Sequence, residues 1–144
     1  DERGAWAVQP RLAGFPRDFA GAAGAGPVPV VSSACLMMQR TLFEDVGGFS
    51  DDYLCQTYAD ADLCFKVRST GAAVWHAADA IVFALGDGHG LSEAENGLPL
   101  LLDRRRLTRR WQGQVDLGDD RGDEPAAADE GTDGRRPSRL KVHA

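Results

Sequence analysis

Apolar residues are unevenly spread along this chain. Nearly all the strongly apolar runs lie before Trp111, and after Val115 the sequence is almost entirely Asp, Glu, Gly, Ala, Arg and Pro, with no aromatic residue. A segment of that kind cannot bury enough apolar surface to offset the entropy lost on ordering it. The pattern therefore predicts one folded unit over 1–115 and a disordered acidic tail over 116–144. The folded part, ~110 residues, is small but large enough to enclose a core.

Within the folded part, Ala5 to Gln9 reads as a strand ended by Pro10, which cannot donate to a ladder. Ala13 to Pro29, rich in Gly, Ala and Pro, reads as a loop. The mostly apolar run Val30 to Met38, with Ser32 and Ser33 inside it, predicts a buried strand. Thr41-Leu42-Phe43-Glu44 has capping-box spacing, and Gly47-Gly48 supplies a left-handed stop, so a short helix of about two turns is expected between them. Phe49 would anchor that turn in the core. A second helix is expected to start at Asp60, with Leu63, Cys64 and Val67 at helical spacing and Gly71 at its end. Ala72 to Trp75 and Ala80 to Leu85 read as short strands, and Gly86 to Gly90 as a flexible loop. Ser92 with Glu95 offers a second capping box ahead of a helical stretch from Leu98 to Trp111, beginning or kinked at Pro99. The fold class this predicts is α/β, with a mixed sheet and short helices.

The chemistry-bearing residues cluster between Cys35 and Cys64. Gly47-Gly48 permits a tight turn with no side chain projecting into a neighbouring cleft. Asp51 and Asp52 follow in a loop, where functional groups tend to sit. At the expected helix start, the Asp60 carboxylate would face free backbone N–H groups, and it could take a proton from a hydroxyl. The plainer alternative is that Asp60 is an N-cap and nothing more. Ser32, Ser33 and Cys35 have no histidine placed to activate them, which assigns them shape rather than covalent chemistry.

The ordered run from Cys35 through Gly47-Gly48-Phe49 and Asp51-Asp52 to Tyr58-Ala59-Asp60-Ala61-Asp62-Leu63-Cys64 resembles the second half of the family 2 glycosyltransferases. The resemblance extends from about Ala5 to Trp111. It implies part of a GT-A (nucleotide-diphospho-sugar transferase-like) domain, namely its acceptor side. An intact enzyme of this kind transfers a sugar from a nucleotide-diphosphate donor to an acceptor hydroxyl with inversion. The resemblance implies Asp60 as the base, and Gly47, Gly48, Asp51, Asp52 and Asp62 around the acceptor, Asp62 in a structural or acceptor-orienting role near the helix start. It also implies a divalent metal, Mg or Mn, and the nucleotide-sugar held by a half that this chain lacks. The acceptor would be a glycan or lipid-linked molecule in polysaccharide assembly, in the cytoplasm or at the inner face of the membrane.

The chain departs from the family pattern at several positions. Ala59 stands where Glu is usual, Ser50 where an Asp follows Gly-Gly-Phe, and Ala78 where a Pro is common. Ala84 occupies the place of a strand-end His that serves some members as a metal ligand; His89, five residues on, is the weak candidate for that role against the plainer reading of a solvated loop histidine. Asp60-Ala61-Asp62 matches the metal-binding DxD pattern, but in the family that motif closes a strand in the missing half, so the match is read as accidental. An intact domain needs roughly 200–250 residues. The isolated chain is therefore expected to have little or no transferase activity. The alternative is a non-catalytic truncated or degenerate remnant that acts as a binding domain.

Charge and composition narrow the partners. The formal net charge is -6, against the positive face that nucleic acid requires. The run Asp103 to Trp111 holds five arginines and predicts a solvated basic face, with pyrophosphate or lipid-carrier contact as the second reading and peripheral membrane contact in view. Cys35, Cys55 and Cys64 include no CxxC pair, which argues against a zinc site or disulfide framework and for a reducing compartment. No apolar run approaches the roughly 18–20 residues of a membrane span. The opening on Asp1 rather than Met leads us to expect a piece of a longer protein.

Overall fold

The computed structural model describes residues 5–10, 24–82 and 97–115, together with the backbone of 139–142. In chain order the elements are β1 (Ala7–Pro10), β2 (Gly26–Pro27), a 3-10 turn (Ser33–Cys35), α1 (Arg40–Asp45), α2 (Gln56–Ser69), β3 (Trp75–His76), α3 (Leu98–Trp111) and β4 (Arg139–Val142). β1 pairs in parallel with β4, and β2 pairs antiparallel with β3. The architecture is mixed α/β, built around helices with two small two-stranded sheets at their margin.

α2 is the centre of the molecule. Every residue from Tyr58 to Phe65 is buried, and Val67 follows. A helix that is enclosed on all sides belongs to the core rather than to a surface. Phe65 sits edge-on to Trp6 from the N-terminal segment and to Trp111 from α3, with ring centroids 5.8 Å apart in both pairs. Such edge contacts each add about 0.5–1.5 kcal/mol beyond the area they bury. Val30, Tyr58 and Leu107 complete the tightest part of the core. α3 also holds the segment ahead of β1: the Thr108 hydroxyl accepts from the Trp6 N–H at 2.8 Å, and Arg104 donates twice to the Ala5 carbonyl.

Several elements differ from what the pattern predicts. α2 begins at Gln56, not Asp60. Its N-terminus has no local side-chain cap; instead Asp103 of α3 accepts from the Leu54 and Cys55 N–H groups, both at 2.7 Å. An acceptor 48 residues away in sequence leaves no local trace. α1 begins at Arg40 and its Gln39 cap makes no side-chain bond. Glu44 pairs with Arg40 at 2.8 Å instead of closing a box with Thr41. The stretch Val30 to Met38 is not a buried strand. The Ser32 hydroxyl accepts from Ala34 N and folds the chain into the 3-10 turn, which competes with strand geometry, and Met37 is 96% exposed. Phe49 leans on Phe43 outside the core and remains 38% exposed.

At the C-terminal end, Arg139–Val142 pairs with β1, so the expected disorder of 116–144 does not hold for these four residues. The alternation Arg-Leu-Lys-Val is a strand pattern that the tail's overall composition masked. Other expectations fit better. Gly47 and Gly48 both adopt positive φ, 77° and 61°, as a left-handed stop requires. Gly71 does the same beyond α2, with φ 87°. Pro99 lies in the first turn of α3, where its missing N–H is harmless. The strand expected at Ala72 to Trp75 is shifted by a few residues to Trp75–His76. The expectations for 83–96, which include Ala84, the Gly86–Gly90 loop, His89 and the Ser92–Glu95 box, lie outside the described residues, as does 116–138.

Candidate functional site

Asp60 lies in the second turn of α2 and is 5% exposed. Because the helix starts earlier than expected, its carboxylate does not face the helix's own N–H groups. It faces the neighbouring 3-10 turn. Oδ2 accepts from Ser33 N at 3.0 Å and Oδ1 from Gln56 Nε2 at 2.8 Å. Gln56 Nε2 also lies 3.3 Å from Ser33 Oγ, closing a small ring of polar contacts. Both donors to Asp60 are uncharged, and among the described residues no cation pairs with it. Of its two partners Gln56 is exposed and Ser33 half-buried, while Asp60 itself is buried.

Asp62 is two residues on, which turns it roughly 200° around the helix axis. It is fully enclosed. Oδ1 accepts from Trp111 Nε1 at 2.8 Å, Arg110 Nη1 at 3.0 Å and Tyr53 Oη at 3.2 Å. Oδ2 accepts from Ser50 Oγ at 2.6 Å and pairs with Lys66 Nζ at 3.2 Å. Burial alone would raise the Asp62 carboxyl, but the hydrogen bonds from Ser50, Trp111 and Arg110 and the Lys66 charge outweigh it, so the group titrates below its ordinary 3.8. Burial and the nearby Asp62 push the Tyr53 hydroxyl well above its usual range. Of the two roles expected for Asp62, structural and acceptor-binding, this environment fits the structural one: both oxygens are occupied by the protein's own donors. Asp62 is a structural hub.

The two carboxylates therefore point apart, and Asp60-Ala61-Asp62 cannot chelate one metal ion. Among the described residues no three His, Cys, Asp or Glu side chains gather as a metal site.

The turn after α1 is tied to this hub. Lys66 Nζ donates to Gly48 O at 2.9 Å and to Ser50 Oγ at 2.7 Å. Ser50 Oγ donates to Asp62 Oδ2, which an ionised Asp at this position could not do. Gly48 is doubly constrained, since a Cβ there would lie 2.9 Å from the Phe43 ring. Gly47 has open space around it, and Asp51 is exposed. The Asp52 carboxylate is held by Arg110 Nη2 at 2.9 Å and lies 3.6 Å from Arg106 Nε; Arg106 also donates to the Asp52 carbonyl. Both guanidinium groups lie over the Tyr53 ring, at 5.8 and 5.6 Å.

The basic run of α3 is accordingly not a solvated face throughout. Arg104, Arg106 and Arg110 are spent on internal contacts, and Asp103 among them is fully buried. Arg105 and Arg109 are exposed. The three cysteines are free. Cys64 is pushed up to about 11 by burial, so at neutral pH it is a packed thiol and no nucleophile.

Sequence reasoning singled out Asp60 and Asp62 but missed Gln56, Ser50, Tyr53, Lys66, Arg110 and Asp103 as their partners or counterparts. Only Gln56 and Lys66 carried a readable signal, each four residues from its aspartate on one helix face.

Among curated proteins, the chain is similar to the uncharacterized protein y4gI of Sinorhizobium fredii (strain NBRC 101917 / NGR234), with 44% identity over 41 residues. That stretch is 28% of this chain and 4% of the relative, so the chain spans a very small part of the curated protein it matches. No protein-family model matches the chain, and no solved structure does.

Proposed function

We propose that this chain is the acceptor-side part of a GT-A, family 2-type glycosyltransferase, with Asp60 as the base that deprotonates the acceptor hydroxyl. One observation carries the reading: the Asp60 carboxylate is held by two uncharged donors, Ser33 N–H and Gln56 Nε2. Among the described residues no cation pairs with this carboxylate, and an acceptor hydroxyl would have to enter beside Ser33 and the exposed Gln56 to meet it. The turn Gly47–Asp52 is tied to Asp62 on the other side of α2, so its residues are not part of the pocket proposed at Asp60. Donor sugar, nucleotide and divalent metal belong to a part outside these residues.

The reaction written for this site is an in-line displacement at the anomeric carbon. The acceptor O–H bond breaks as Asp60 takes the proton, the acceptor oxygen bonds to the anomeric carbon, and the nucleoside diphosphate leaves with the bonding electron pair. The test is transfer from a panel of nucleotide-diphosphate sugars by the gene product that carries these residues, read as nucleotide release. Asp60→Asn is expected to lose it; transfer by the variant at the wild-type rate overturns the assignment. The 144-residue chain alone is expected to transfer little or nothing.

A second reading is a remnant that binds a partner without catalysis. Ala59, buried where the family carries Glu, favours it, as do Met37, Leu54 and Trp75, which are 96%, 65% and 60% exposed. A gene product inactive with every donor, yet forming a stable complex through these side chains, would select this reading over the first.

A further inference from the structure

We propose that Gln56 is a positioning residue for Asp60, holding the carboxylate in one orientation toward the acceptor; the inference rests on the reading of Asp60 as the base.

Gln56 is exposed in the first turn of α2, and its carboxamide nitrogen is shared between Asp60 Oδ1 and Ser33 Oγ, at 2.8 and 3.3 Å. A free surface glutamine samples many rotamers, and holding it in one costs side-chain entropy that a purely solvated residue would not give up. The (i, i+4) spacing on one helix face makes the contact geometrically easy. Ser33 N fixes the other carboxylate oxygen from a different segment. Each Asp60 carboxylate oxygen thus has its own donor, one from α2 and one from the 3-10 turn.

The chemical type of the clamp matters as much as its geometry. Asp62, on the same helix, also has an (i, i+4) partner, but that partner is Lys66, a cation. Position 56 offers Asp60 a neutral donor. A cation there would hold the carboxylate equally well while compensating its charge and weakening it as a proton acceptor. Gln56 orients without neutralising.

The deciding measurement is the pair of Hα–Hβ couplings of Asp60 by solution NMR, in this chain, for wild type, Gln56→Leu and Gln56→Asn. Wild type is expected to show a single side-chain rotamer and Gln56→Leu an averaged one, at an unchanged melting temperature. A single, unaltered rotamer in Gln56→Leu overturns the proposal. In the gene product that carries these residues, Gln56→Leu is expected to lower kcat at least tenfold with the donor KM unchanged. Gln56→Arg, which restores a clamp but adds charge, is expected to remain as slow. If Asp60→Asn abolishes transfer while Gln56→Leu keeps the wild-type kcat, the positioning inference fails and the base survives. If Asp60→Asn keeps transfer, the base reading fails, and the couplings still decide whether Gln56 orients the carboxylate.

Discussion

Asp60 and Asp62 leave the same buried helix on opposite sides, and the protein treats them differently. Asp62 has five donors, two of them cationic, and no solvent. Asp60 has two neutral donors and lies beside exposed residues. A carboxylate saturated by cations is a fastening: it joins α2, α3 and the turn after α1, and its low proton affinity makes it a poor base. A carboxylate held by neutral donors is oriented but chemically available. The difference shows that identical residues two positions apart can divide stability and chemistry between them, because helix geometry sends them into unlike surroundings.

The sharpest way to break the comparison is Asp62→Ala. It removes the buried counter-charge of Arg110 and Lys66 and leaves the Trp111 N–H and Tyr53 hydroxyl without this acceptor, and is expected to cost about 3 kcal/mol in urea unfolding. A cost below about 1 kcal/mol would show that the hub is dispensable. Asp103→Ala is expected to cost about 2–3 kcal/mol, because two backbone N–H groups at the α2 start lose their acceptor; the same unfolding experiment measures it.

Between the two glycines of the turn, Gly48→Ala is expected to destabilise by about 1–2 kcal/mol and Gly47→Ala by about 1 kcal/mol. Both share the left-handed strain, but only Gly48 also meets the Phe43 ring. Equal losses in thermal melts would show that ring contact adds nothing. The smallest stability effect belongs to Asp60→Asn, expected within about 1 kcal/mol of wild type, alongside the full loss of transfer described above.

The two aspartates should separate in acid as well. The folded Asp62 carboxyl titrates below 3.8, so the stability it contributes is complete above that pH and is lost as pH falls through the lower folded value. Urea midpoints followed from pH 5 to strongly acid conditions should therefore drop, and the part of the drop due to Asp62 should be missing in Asp62→Asn.

Much of the local structure was legible from spacing. The double glycine, the Gly71 stop, the Pro99 start and the α3 span all follow from residue types with narrow backbone preferences, and these act over a few neighbours. Asp60 could be singled out from its motif context and Lys66 from its distance to Asp62. The start of α2 could not, because its cap comes from Asp103. The buried strand expected at Val30 to Met38 failed for a related reason. Its apolar run reports hydrophobicity, while Ser32 turns the backbone into the 3-10 turn.

Residue order alone shows where apolar mass concentrates, where helices must stop and which acidic residues stand out. Those are short-range properties of φ preference and hydrophobic pattern. Which carboxylate is enclosed by cations and which is held by neutral donors depends on packing between distant segments. Arg110 and Trp111 reach Asp62 across 48 and 49 residues, and Ser33 reaches Asp60 across 27. Such contacts exist only once α2 is packed against α3 and the 3-10 turn, and the division of labour between Asp60 and Asp62 comes from that packing.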